Sequence, residues 1–402
     1  MRKTLLFVVI LAVITATIIL ALFPAIHHSP GRQLEKVLKN LNQIESATYY
    51  SYHSGHPPGD TSPPRVYISY VKEYINDADT FVGASFVNLR HDDTTKMTYT
   101  YDGQMRTRMN WNENKFETDD FQNNPWPFRV VNAPFFTKAK SIIGYALESE
   151  DSLRIDKEDY GDSLKYSFLI YDDIIEIIGN RIIHDTLLKT GKGKISRYDI
   201  WIDKSDMYPY RIRREMPHDI SELSCKEVKI NNNYPPIFRA SDYFPPDSVL
   251  VKEDKTGKTS VDLHERQAPG WTLYDADSNY FTLGDFKSKV LMIQFSSVSC
   301  GPCLQSIAFL KDLKKEYDKS DFDFVSIESF SRTPEVLRGY SKDNDFNYKF
   351  LMSTDKLTAA YGVKAVPTFY LLDQNRVIKK IIRGYGKGTT DKEIRNTIND
   401  ML

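Results

Sequence analysis

The sequence predicts a multidomain chain: an N-terminal transmembrane helix, an antiparallel β domain with a few helices, and a closing α/β unit. Three observations predict this. One long apolar run stands behind two basic residues at the N-terminus. Between about residues 47 and 242, short aromatic and β-branched runs alternate with turn residues. From Ala268 onward, strand-like and helix-like patterns alternate. At 402 residues the chain exceeds one ordinary domain.

The apolar run extends from Leu5 to Ile26, with Thr15 and Thr17 as its polar interruptions and Pro24 near its end. About 20 such residues span a bilayer core. A secretory core is shorter, roughly 7–15 residues, and leads to a small-x-small cleavage site. Phe23-Pro24-Ala25-Ile26-His27-His28 offers no clear site, and no cysteine directly follows to carry a lipid. Residues 1–29 therefore read as an uncleaved signal anchor, with a cleaved signal peptide as the alternative. Arg2 and Lys3 precede the run, so the body faces away from the cytoplasm. In a bacterium this is a single-pass inner-membrane protein with its body on the periplasmic side.

Arg32 to Ile44 reads as an amphipathic helix, with Leu34, Leu38 and Leu41 at helical spacing. Val66–Tyr70, Lys165–Tyr171, Ile195–Ile202 and Tyr208–Arg214 read as strands. Met97–Tyr101 and Gln104–Asn110 form a hairpin about Asp102-Gly103. One helix interrupts the series: Asn132 caps it, Pro134 sits in its first turn, and Phe135, Ala139, Ile142 and Ala146 share a face. Many strands with few helices imply an antiparallel sheet or open barrel. Pro235-Pro236, Pro245-Pro246 and the polar stretch Lys252–Ser260 mark a boundary. The β domain then covers 30–246, a linker 247–263, and the α/β unit 264–402.

Lysine and arginine total 53 against 54 acidic residues, a net charge of −1 without the basic excess of a nucleic-acid binder. Aromatics make up 13%, which suits large antiparallel sheets. The three cysteines, Cys225, Cys300 and Cys303, are too few for a stapled secreted scaffold.

Cys300-Gly301-Pro302-Cys303 follows the buried-strand run Val290–Phe295 and precedes a helix with Ile307, Leu310, Leu313 and Tyr317 on one side. The first cysteine thus sits at a helix N-terminus, where free N–H groups and the helix dipole favour a thiolate. Cys300 is the expected nucleophile. Cys303, one turn on, resolves the mixed disulfide, and Pro302 lacks a donor that would be unpaired there. Half a zinc site is the alternative, but it would need two further ligands that neither Cys225 nor a histidine cluster supplies. The dithiol needs no cofactor. Cys225 lies in a strand-like stretch and reads as a buried small hydrophobe, with pairing to Cys300 as the alternative.

Together, Ala268-Pro269-Gly270-Trp271, Phe281-Thr282-Leu283, the strand before the CGPC motif, and Ala365-Val366-Pro367-Thr368-Phe369 resemble the thioredoxin-like family. The branch they resemble is the membrane-anchored, extracytoplasmic disulfide reductases related to cytochrome c maturation factors. The resemblance covers about 264–402 and implies an α/β thioredoxin fold. It also implies a cis peptide before Pro367, with the Val366 backbone beside the sulfurs, where a substrate strand can pair. The stretch from Cys303 to Pro367 is long enough for an extra helix beginning at Thr333-Pro334. Three positions depart from the family: Ser299 where tryptophan is common, Gln294 where thioredoxin buries an acid, and no kinking proline after the motif. Cys303 must then lose its proton to water or another group. The Gly-Pro dipeptide implies reduction of protein disulfides, with electrons from a membrane thiol-transfer protein. A thiol peroxidase would carry a proline seven before the attacking cysteine, where this chain has Ile293, although Ser297 supplies the hydroxyl.

The first helix, the long aromatic strand series, Tyr101-Asp102-Gly103 and Trp201-Ile202-Asp203 resemble the periplasmic lipoprotein-carrier half-barrels. That resemblance implies a cavity for a lipid or apolar ligand. Aromatics that simply fill a core are the alternative.

Overall fold

The computed structural model describes residues 30–60, 63–122, 128–149, 151, 153–171, 174–184, 195–232, 238–246, 249–252, 262–330 and 333–402. The expected membrane anchor at 1–29 lies outside the described residues. Among the described residues no helix is long and apolar enough to cross a membrane.

The first part opens with α1 (Pro30–Leu41) and continues through β1 (Ser46–His56), β2 (Val66–Ile75), β3 (Ala84–Arg90), β4 (Met97–Tyr101), β5 (Arg106–Asn110) and β6 (Lys115–Asp119). After α2 (Phe135–Glu148) come β7 (Leu153–Asp159), β8 (Ser163–Ile170), β9 (Ile175–Ile178), β10 (Arg181–His184), β11 (Ser196–Asp203), β12 (Pro209–Glu215), β13 (Ile220–Ile230) and β14 (Val249–Lys252). Twelve of these strands form one sheet in the order β14-β6-β5-β4-β3-β2-β1-β13-β12-β11-β8-β7, while β9 and β10 form a separate ribbon. All neighbours pair antiparallel except β14 and β6. Strand periodicity explains which face is covered: Ser196, Tyr198, Ile200 and Ile202 alternate along β11 and all are buried. Tyr49, Tyr166, Phe168 and Tyr198 join Leu34, Val37 and Leu41 of α1 and Phe135, Phe136 and Ile142 of α2 in one core.

Two expectations are corrected. The stretch 247–263 is not all linker, because Val249–Lys252 is β14, paired in parallel with β6 from Val249↔Lys115 to Lys252↔Thr118. An edge strand offers unpaired backbone groups, and this short β-branched segment takes them up. Asn132 does not cap α2, whose N-cap is Pro134 with no side-chain cap of its own. The helix start is satisfied from the sheet instead. Glu73 of β2 accepts the Phe136 and Thr137 N–H groups at 3.2 and 2.7 Å, and the Tyr49 hydroxyl accepts the Phe135 N–H at 2.8 Å. The Tyr49 and Thr137 hydroxyls also donate to Glu73, so this fully buried carboxylate is surrounded by donors.

The second part contains β15 (Thr272–Asp275), β16 (Tyr280–Thr282), β17 (Val290–Ser296), α3 (Gly301–Glu316), β18 (Phe322–Glu328), α4 (Pro334–Asn344), β19 (Lys349–Met352), α5 (Asp355–Ala360), β20 (Thr368–Leu372), β21 (Ile378–Arg383) and α6 (Thr389–Met401). Its sheet runs β16-β15-β19-β18-β17-β20-β21, with β17, β18 and β19 parallel and β20 antiparallel to β17. Every residue of β17 is buried. Leu291, Ile293 and Phe295 face one core, while Val290 and Met292 face another built with α3 and α6. Such a strand, covered on both faces, reads as a continuous apolar run. The extra helix expected at Thr333-Pro334 is α4.

Candidate active site

Strand β17 ends at Ser296, and the chain turns into α3 through Ser297–Cys300. Cys300 is the N-cap of α3, and its Sγ accepts the Cys303 N–H at 3.2 Å. Pro302 occupies the first turn, where an N–H would have no intrahelical partner. Cys300 and Cys303 form a disulfide with Cα atoms 5.1 Å apart. Their environments differ: Cys303 is 1% exposed, whereas Cys300 is only partly buried. The outer sulfur is therefore the one a partner can reach.

The loop before β20 lies against this sulfur. The Val366–Pro367 peptide is cis, and the Val366 carbonyl oxygen is 3.6 Å from Cys300 Sγ. Thr368 fixes the loop by donating its hydroxyl to the Ala365 carbonyl at 2.8 Å. Cys300, Gly301, Pro302, Cys303, Val366 and Pro367 are thus brought together although 64 residues separate Cys303 from Pro367.

Gln294 is buried beneath the motif. Its amide donates to Ser306 Oγ at 3.0 Å, and its oxygen accepts from Ser326 at 2.5 Å. Ser306 in turn donates to the Cys303 carbonyl at 2.7 Å. A neutral network of Gln294, Ser306 and Ser326 thus stands beneath the motif.

Three residues that sequence reasoning did not single out border the motif. Glu328, at the end of β18, is fully buried and accepts the Val298 and Phe330 N–H groups at 2.7 and 2.9 Å. It thereby holds the loop that delivers Cys300. His218, in the turn between β12 and β13, places its ring 3.7 Å from where a Gly301 Cβ would stand. Arg214 supports that turn by donating to Asp219 at 2.6 Å and to Glu176 at 2.9 Å, and Glu176 lies 3.7 Å from His218 Nε2. No sequence signal links these residues, because β18, β12 and β9 meet the motif only through folding.

A cavity of about 1030 Å³ lies between the large sheet, α2 and the start of α3. Its sheet wall is one strand face: Tyr49, Ser51 and His53 of β1 stand opposite Val71, Ser69 and Tyr67 of β2. Gly301, Pro302 and Gln305 close it from the motif side. Cys225 is buried on β13 with its thiol 3.8 Å from the Tyr210 carbonyl, and burial pushes its pKa up. It is not paired with Cys300.

The Redoxin family model matches residues 263–398. The thioredoxin-like protein YneN of Bacillus subtilis is 30% identical over 126 residues, which is 31% of this chain and 74% of that protein. The thiol-disulfide oxidoreductase ResA of Geobacillus thermodenitrificans is 26% identical over 130 residues, 32% of this chain and 74% of ResA. A crystal structure of a thioredoxin-family thiol:disulfide interchange protein from Chlorobium tepidum covers 34% of this chain and 99% of its own, at 23% identity and a TM-score of 0.30. Through its C-terminal third, this chain belongs to the thioredoxin-like family and is an oxidoreductase of thiol–disulfide exchange.

Proposed function

We propose that the chain reduces disulfides of extracytoplasmic protein clients through Cys300 and Cys303. The observation that carries this is the bonded cysteine pair at the start of α3, with the outer sulfur under the Val366 carbonyl. In the reduced protein the Cys300 thiolate attacks one sulfur of the client disulfide, and the other client sulfur leaves and takes a proton. Cys303 then attacks Cys300, releasing the second client thiol and forming the Cys300–Cys303 disulfide. The client gains two electrons and two protons, which a membrane thiol-transfer protein restores to the dithiol. Gly301 and Pro302 set the helix start. Val366 offers its backbone to the client strand, and Pro367 holds that loop in place. Residues 1–29 anchor the chain in a bacterial inner membrane with the body on the periplasmic side, the β domain covering 30–246 and the redox domain 264–402.

Insulin reduction tests the assignment. Cys300→Ser is expected to lower the rate to the uncatalysed background, and Cys303→Ser to leave client held as a mixed disulfide. An unchanged rate in Cys300→Ser rejects it.

The cavity favours a second reading, in which the β domain is a half-barrel that holds an apolar ligand and the redox domain assists. Ligand binding retained in Cys300→Ser, with a function that survives that change, supports this reading over the first.

A further inference from the structure

The ionisable groups that line the cavity between the sheet and α3 are unevenly paired. Arg214, Glu176, Asp219, Lys138 and His53 all line it. Arg214 engages both carboxylates, donating to Glu176 Oε2 at 2.9 Å and to Asp219 Oδ2 at 2.6 Å. Lys138, on the first turn of α2, receives neither. Among the described residues its ammonium makes no hydrogen bond and no ion pair, although it carries three donors. Burial, and next the Arg214 charge, lower its pKa to about 8, against a smaller opposing pull from Glu176 and Asp219. His53, on β1, is pushed down as well, by burial first and by Lys138 second. Two basic groups therefore lie within reach of one another, while Glu176 and Asp219, the carboxylates that line the cavity, are engaged by Arg214. His184 and His218 stand elsewhere on the same wall.

Val71, Phe86, Val131, Phe135 and Ile177 line the same cavity. The volume, about 1030 Å³, is at the top of the roughly 300–1,000 Å³ typical of small-molecule sites. A cavity lined by apolar side chains and one unpartnered ammonium has a defined complement.

We infer that this cavity binds a small amphiphilic anion, whose charged group is held by Lys138 beside His53 and whose apolar body lies against Val71, Phe86 and Phe135. The site belongs to both parts of the chain, since Gly301 and Pro302 form part of its wall. It does not depend on the dithiol chemistry proposed above. The anion supplies the acceptor that Lys138 lacks and relieves its repulsion with His53 and Arg214.

Two dyes that share one aromatic body separate the charge from the apolar contact: anilinonaphthalene sulfonate, an anion, and phenylnaphthylamine, its neutral counterpart. Binding to the full chain in lipid nanodiscs is read as energy transfer from the protein's tryptophans, with empty nanodiscs subtracted. Lys138→Met is expected to weaken the sulfonate about tenfold and leave the neutral dye unchanged, as loss of one charge-assisted hydrogen bond requires. Lys138→Arg is expected to keep sulfonate binding. In the wild type, raising the pH from about 7 to about 10 deprotonates Lys138, so the sulfonate affinity falls while that of the neutral dye stays level. That titration needs no variant to fold. Failure of the sulfonate to bind, undiminished binding in Lys138→Met, loss in Lys138→Arg, or a flat pH response overturns the inference. A lipid or a peptide segment as occupant would appear as equal binding of both dyes in wild type and Lys138→Met. Insulin reduction by the same preparations reports separately on the dithiol.

Discussion

Cys300 and Cys303 are separated by their surroundings more than by their chemistry. The outer sulfur caps a helix and accepts a backbone N–H, and the inner one is 1% exposed. After reduction, iodoacetamide is therefore expected to modify Cys300 well before Cys303, as peptide mass spectrometry would show. Equal modification of the two would contradict the assignment. Glu73 is the second residue whose role is decided by its neighbours. It answers two helix N–H groups and two hydroxyls while fully buried. Glu73→Ala leaves those donors unpaired and is expected to cost about 3 kcal/mol in urea unfolding. The cysteine pair was legible in the sequence because its spacing is local and its strand-to-helix context lies within twenty residues. Glu73, Glu328 and His218 were not legible, since each meets its partners across the fold. Asn132 was misread for the same reason: a cap drawn from another strand leaves no trace beside the helix it serves.

At the scale of elements, composition and periodicity predicted β2, β4, β5, β8, β11, β12 and β17, while β14 was read as linker. A short segment next to two prolines and a polar run has the composition of a linker, and its pairing with β6 is a long-range event. The β9–β10 ribbon also escaped, though its turn carries a readable constraint. Gly179 has φ +58°, and a Cβ there would lie 2.6 Å from the Phe81 carbonyl oxygen and the Val82 Cα. Backbone atoms cannot swing aside as a side chain would. Gly179→Ala is expected to destabilise the protein by about 2 kcal/mol or more, measured as a fall in the urea midpoint. The α3 helix shows the opposite case at Gly301. A Cβ there meets the His218 ring at an ordinary 3.7 Å, so Gly301→Ala should change stability by less than about 1 kcal/mol.

At the scale of the whole molecule, the large sheet and the redox unit share a wall. Arg214 braces the turn that carries His218 to α3, because it binds Glu176 of β9 and Asp219 of that turn. Arg214→Met removes the guanidinium partner of two carboxylates, one of them largely buried, and is expected to cost about 3 kcal/mol, followed through tryptophan fluorescence. The division into a β-rich part and an α/β part could be read from the sequence, since each has its own hydrophobic period. The cavity between them could not, because its lining comes from seven strands, two helices and the segments between them, which only the fold assembles.

The reduction potential of the Cys300–Cys303 couple tests the proposed direction of electron transfer most directly. Equilibration of the full chain against glutathione or dithiothreitol is expected to show one reversible two-electron couple near thioredoxin's, roughly −270 mV. A potential nearer about −120 mV would contradict reduction as the direction of transfer. No reversible couple at all would contradict the dithiol as the working centre of the molecule.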